Sequence, residues 1–182
     1  VGKQLYDGCR DKYQFITDKR SRKLNAIKGK LESAIKNPRG FNYSIYLIRD
    51  NEINAFTAGG YIFVTTGMYN FVENDDELAC VIGHEMAHNE CKHINQHLTK
   101  QKVNHKVLGE LFGSDADALI FFMTTPFNQK RETESDFHGI DYAVTAGYNS
   151  CKVINLWTRM ASMETTGTKI DEMMRTHPYS SK

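Results

Sequence analysis

The sequence is short of the residues that punctuate or staple a small fold. It holds three prolines, one tryptophan and four cysteines in 182 residues. Cys9, Cys80, Cys91 and Cys151 form no CxxC pair, which excludes a zinc ribbon and a thioredoxin-type motif. Cys80 and Cys91 fall on one predicted helix, about 16 Å apart along its axis, too far for a disulfide. Long apolar runs are missing as well. The longest, residues 118–123, is far too short to cross a bilayer, and no signal-peptide pattern opens the chain. The first residue is Val1 rather than Met, which reads as a mature form or a fragment. Neither sign of charge dominates. With 23 Lys and Arg against 22 Asp and Glu, the net charge is +1, so no large field points to nucleic acid or an anionic membrane. Repeats and low-complexity tracts are absent. The length suits one domain with a real core, or a domain with a long arm.

Histidine, by contrast, is concentrated in one place. Five of the seven histidines fall between His84 and His105. Residues 77–93, ELACVIGHEMAHNECKH, read as a helix containing His84-Glu85-Met86-Ala87-His88. Two histidines four apart on a helix differ by about 40° in direction and one turn in height. Both imidazoles can therefore reach one metal ion, and Glu85 can address a water on that ion. This is the HExxH arrangement of zinc hydrolases.

A catalytic zinc site usually needs a third protein ligand and an open position. A metzincin would place that ligand at position 94, after a glycine at 91. Ile94 and Cys91 stand there instead. The segment Arg131-Glu132-Thr133-Glu134-Ser135-Asp136 supplies an alternative. Glu132 and Asp136 are four apart on one face of a predicted helix, and Glu134 points roughly the opposite way. Glu132 can then ligate zinc, while Asp136 hydrogen-bonds the far nitrogen of a ligand histidine and fixes its tautomer. Cys91 lies one turn after His88 and can either touch the metal or serve as a small buried thiol, the commoner role. His93 and His97 read as structural or solvated. His138 lies about 120° around its helix from Glu132, away from the metal face.

The remaining pattern predicts an α+β fold, mostly helical. Residues 3–36 read as one long amphipathic helix, with Leu5, Cys9, Tyr13, Ile16, Leu24, Ile27, Leu31 and Ile35 as its stripe. Asn37-Pro38-Arg39-Gly40 stops it. Residues 43–49, 53–58 and 61–66 read as three strands of a small antiparallel sheet. A short helix over 67–71 leads to Asn74, which caps the central helix with Glu77 three residues on. Gly83, inside that helix, implies close approach of a neighbouring backbone. Further helices are expected over 102–112, 128–146 and 150–163, and a helix or a lid over 115–123.

HExxH followed by ExxxD is the gluzincin pattern. Several neighbouring stretches narrow it: Asn54-Ala55-Phe56, Gly59-Gly60-Tyr61-Ile62-Phe63-Val64-Thr65-Thr66-Gly67, Asp76-Glu77-Leu78-Ala79, Ala146-Gly147-Tyr148 and Thr176-His177-Pro178. Together they resemble the HtpX and CaaX-prenyl-protease family of zinc metallopeptidases, from about Tyr43 onward. Within it the chain looks most like the soluble periplasmic branch typified by BepA and LoiP. Ser135 stands where that family often has alanine, and the arginine that commonly follows the His-Pro element does not appear.

The resemblance implies a zincin-like peptidase domain over 41–182, its C-terminus open to truncation; the helical stretch within 1–40, which the resemblance does not clearly cover, reads as a brace packed across that domain. It implies one Zn2+ held by His84, His88 and Glu132, with Asp136 orienting His84. Glu85 would be general base and then acid. His177 would stabilise the oxyanion, close over the metal as a fourth ligand, or have no role. The strand carrying Asn54, Ala55 and Phe56 would bind an extended substrate by strand addition. The implied activity is endoproteolysis of unfolded or misfolded polypeptides in the cell envelope. A zinc-bearing module that holds such chains without cutting them is the competing expectation.

Overall fold

A computed structural model describes residues 2–94 and 127–164 of the chain. Four strands form its sheet: β1 (Phe15–Ile16), β2 (Ser44–Ile48), β3 (Ala55–Ala58) and β4 (Tyr61–Thr65), in the order β1-β2-β4-β3. β3 and β4 make an antiparallel hairpin around Gly59 and Gly60, both at positive φ (58° and 87°). A two-residue loop of this hand favours glycine at both places, because L side chains clash there. β2 pairs with β4 in parallel, Ile45 opposite Ile62 and Leu47 opposite Val64. β1 adds to β2 antiparallel. The sheet is therefore four-stranded and mixed, where three antiparallel strands were expected. The hairpin reverses the chain between β2 and β4, so β4 returns alongside β2 in the same direction.

Period-two alternation explains why both faces are covered. Ile45, Leu47, Ile62 and Val64 point to the helical layer and join the larger core. Ile48, Phe56 and Phe63 point the other way, into a second cluster with Leu5 and Cys9. Tyr6, Phe15, Tyr46 and Tyr61 pack around that cluster, with ring centroids 5.1–5.8 Å from Tyr6 to the other three.

The N-terminal segment also departs from expectation. In place of one helix over 3–36 there are two, α1 (Gly2–Lys12) and α2 (Lys19–Ala34), with β1 between them. The apolar stripe has a gap between Ile16 and Leu24, and there the chain turns. Asp18 restarts the helix: its carboxylate accepts from the Arg20 amide (2.8 Å), and its own amide donates to Ser21 Oγ (3.0 Å). Phe15 gains ladder pairing with Ile48 and ring contact with Tyr46 at 5.2 Å. Leu24, Ile27, Leu31 and Ile35 still reach the larger core.

After the short α3 (Thr66–Phe71) comes the central α4 (Asp75–Glu90), followed by α5 (Gln129–Thr145) and α6 (Cys151–Glu164). Asn74 Oδ1 accepts from the Glu77 amide at 3.0 Å, capping α4 as expected. The Glu77 carboxylate does not accept from the Asn74 backbone amide, so the capping box is not closed. The carboxylate accepts from the Glu73 amide (2.9 Å) and from both Arg159 nitrogens on α6 (3.0 and 2.6 Å). Every residue from Glu77 to Glu90 is buried, so α4 is the axis of the core. The helix ends at Glu90 rather than continuing to His93, because Lys92 adopts a left-handed conformation (φ 59°).

α4 and α5 cross at two glycines. A Cβ on Gly83 would lie 2.6 Å from Gly139 O, and one on Gly139 would lie 2.6 Å from His84 N. Real side chains do not approach that closely, so both positions require glycine for the backbones to touch. The close approach expected at Gly83 is met by Gly139.

Candidate metal centre

The crossing of α4 and α5 decides what faces what. His84 and His88 stand one turn apart on α4, with their Nε2 atoms 2.9 Å apart. Glu132, in the first turn of α5, presents one oxygen to each: Oε2 to His84 Nε2 and Oε1 to His88 Nε2, both at 3.4 Å. One donor atom from each of the three residues lies within 4.8 Å of the others. His88 and Glu132 are almost wholly buried, at 0% and 2% exposure. Two imidazoles and a carboxylate converging on one point fit a divalent cation of nitrogen and oxygen preference.

Hydrogen bonds behind the ligands set their tautomers. His84 Nδ1–H donates to Asp136 Oδ1 at 2.8 Å, which turns the Nε2 lone pair of the neutral ring toward Glu132 and His88. Burial works against charge on His84, but the hydrogen bonds and negative charges of Asp136 and Glu132 outweigh it. Its pKa is raised well above the ordinary histidine range. A site that attracts a proton to that place attracts a metal cation for the same electrostatic reason.

His88 is backed by a residue that the sequence pattern did not single out. His93 Nε2–H points to Glu134 Oε2 at 3.2 Å, so a neutral His93 has its lone pair on Nδ1. That atom lies 3.2 Å from His88 Nδ1 and 3.1 Å from Ser135 Oγ. His88 Nδ1–H then donates to His93, leaving the His88 Nε2 lone pair for the metal. Burial holds the His93 pKa below its ordinary value, against the pull of Glu134, which favours the neutral ring. The left-handed Lys92 folds His93 back against His88, with ring centroids 5.2 Å apart. On a continued helix, five residues would carry it about 140° away. Only a glycine or asparagine at position 92 would have signalled the turn, and the residue is lysine.

Glu85 is buried and lines a small cleft with His84 and Asp136. Cys80, Val81, Ile140, Val153, Leu156 and Trp157 complete its walls. Cys80 is thus an apolar wall residue, its thiol pushed up to about 12 by burial. Cys91 is not among the converging donors; its contacts are with α5 residues farther along. Asn54 leads into β3, the last strand of the sheet among the described residues, and Asn54, Ala55 and Phe56 are all buried. Asn89, directly after His88, ties the hairpin to α4: its Nδ2 donates to Thr57 Oγ1 (2.7 Å) and its Oδ1 accepts from the Gly60 amide (3.3 Å). His177, like the helix expected over 102–112 and the helix or lid over 115–123, lies outside the described residues.

The family model of peptidase family M48 matches residues 18–182. The chain belongs to peptidase family M48. Its M48 relatives include the mitochondrial metalloendopeptidase OMA1 of Arabidopsis thaliana, 27% identical across 93% of this chain and 36% of that protein. A putative beta-barrel assembly-enhancing protease of Vibrio cholerae is 26% identical across 75% of this chain and 32% of its own length. The metalloprotease LoiP of Escherichia coli is 25% identical across 89% of this chain and 67% of its own. The chain therefore spans only about a third of the first two relatives. Among the described residues, no helix is long and apolar enough to cross a membrane.

Proposed function

We propose that this M48 chain is a zinc-dependent endopeptidase domain that cuts unfolded or misfolded polypeptides, with a role in protein quality control at the cell envelope. The observation that carries the reading is the convergence of His84 Nε2, His88 Nε2 and a Glu132 oxygen within 4.8 Å, with Glu85 in the adjoining cleft. A Zn2+ held by these three would supply Lewis acidity toward the scissile carbonyl and a lowered pKa for an attacking water.

The chain's own residues do the rest. Glu85 accepts the proton from the attacking water and delivers it to the leaving amine as the C–N bond breaks. Its burial beside apolar walls keeps bulk water from competing for that proton. Asp136 and His93 hold the two imidazoles in the tautomers that face the cation. β3, the last strand of the sheet among the described residues and pinned to α4 through Asn89, would pair with an extended substrate strand at Asn54, Ala55 and Phe56. Main-chain pairing demands little of the substrate's sequence and suits unfolded segments. Envelope placement follows the bacterial relatives named as assembly-enhancing proteases.

The test is chelation and reloading. A quenched unstructured peptide should be cleaved by the zinc-loaded chain, not after removal of the metal by a chelator, and again after one equivalent of Zn2+. Cleavage that persists in the metal-free protein would refute the reading.

A further inference from the structure

Three donors of three chemical types meet on the far side of Glu134. Cys91, Glu134 and His138 each place a sulfur, oxygen or nitrogen atom within 4.8 Å of the other two. Glu134 and His138 are one turn apart on α5 and so stand side by side. Cys91 caps the C-terminus of α4, held there by its backbone N–H, which donates to Ala87 O at 2.8 Å. Cys91 and His138 are half-buried and Glu134 is exposed, so the cluster is open to ions in solution. Cys91 is a free thiol. Among the described residues, neither its sulfur nor a ring nitrogen of His138 makes a hydrogen bond.

We infer that Cys91, Glu134 and His138 form a second metal site, outside the His84–His88–Glu132 centre, that takes Zn2+ or a cation of similar softness. A thiolate, an imidazole and a carboxylate select Zn2+ or Co2+ over Mg2+ and Ca2+, which require mostly oxygen. Zinc ligands lie about 3.5 Å apart by the usual bond lengths and a tetrahedral angle, so rotamer changes of the Glu134 and Cys91 side chains close the set. The Cys91 thiol is pushed up to about 11 by burial and by Glu134, while Arg39 pulls it down. Binding therefore releases the thiol proton as the sulfur–metal bond forms. Glu134 has one oxygen against His93 at 3.2 Å and a second oxygen for the cation. The outer cation would thus stand two side chains, Glu134 and His93, away from His88.

Cobalt separates the two sites, because only the outer one contains sulfur. The full chain is titrated with Co2+ and its near-ultraviolet thiolate-to-cobalt absorption is followed. The expected result is two Co2+ per chain, the weaker one bringing the sulfur band. Cys91→Ser should bind one Co2+ without the band, and Cys151→Ser should keep both. Glu134→Gln and His138→Gln should each weaken the sulfur-linked event at least tenfold. A chain that shows no sulfur band at two equivalents overturns the inference. So does a band that survives in Cys91→Ser, or one of unchanged affinity in both α5 variants.

Discussion

Gly83 on α4 and Gly139 on α5 meet backbone to backbone, and this contact sets the distance from which Glu132 reaches His84 and His88. A Cβ at Gly139 would lie 2.6 Å from His84 N and 2.8 Å from Gly83 C, both main-chain atoms that cannot swing aside. Gly139→Ala should therefore force the helices apart, destabilising the chain by at least about 2 kcal/mol and weakening metal binding with it. Gly29→Ala is the control, since nothing lies within 4 Å of a Cβ there. In the middle of α2 it should stabilise by about 0.5–1 kcal/mol. Denaturant melts of both variants, with zinc affinity by chelator competition, check the pair.

His93 orients His88 through a hydrogen-bond acceptor, so the shape of the replacement matters. His93→Phe removes the acceptor and should lower zinc affinity about 10–100-fold. His93→Asn places an amide oxygen near the position of Nδ1 and should recover most of the loss. Equal losses in the two variants, at equal apo-protein stability, would show that His93 merely fills space.

Asp136 accepts from His84 Nδ1–H at 2.8 Å. Asp136→Asn removes the negative charge and can present an N–H to the ring, turning the tautomer over. Zinc affinity should fall about 10–100-fold. Isothermal titration against a competing chelator measures this directly.

Much of this site is legible in the sequence because it lies within regular helices. HExxH and ExxxD are helical spacings, and α4 and α5 are regular helices through both motifs. The meeting of Glu132 with His84 and His88, and of Asp136 with His84, follows from those spacings once the helices cross. The crossing is itself half-written at Gly83. What was not legible depends on single backbone turns. Lys92 at φ 59° brings His93 to His88, and nothing about a lysine announces a left-handed residue. Asp18 and Ser21 cap α2 in the one gap of an otherwise helical stripe, and Phe15–Ile16 finds its strand partner about thirty residues away. The parallel pairing of β2 with β4 is also non-local, since each strand alternates in the same way whichever direction its neighbour runs.

Arg159 clamps α6 to the start of α4. Its two nitrogens bind the fully buried Glu77 carboxylate at 3.0 and 2.6 Å, and its guanidinium lies over the Phe71 ring at 5.2 Å. Burial raises the Glu77 pKa, but Arg159, the Glu73 amide and Asn74 outweigh it and hold the carboxyl below its ordinary value. The folded pKa lies below the unfolded one. The pair's contribution is therefore complete above about pH 4.3, the usual glutamate value, and is lost as pH falls through the lower native value. Arg159→Ala should cost about 2–3 kcal/mol at pH 7. That deficit should shrink as the pH drops below about 4, in urea melts of parent and variant at matched pH.

In the proposed mechanism Glu85 moves protons beside a cation held by His84, His88 and Glu132. That role is tested most directly by Glu85→Gln, with zinc content and cleavage of unfolded casein measured on the same samples. Parent and variant should each hold one equivalent of zinc at the inner centre, and cleavage should be slower by about 10²–10⁴-fold in the variant. A fully zinc-loaded Glu85→Gln chain that cuts as fast as the parent would contradict that role.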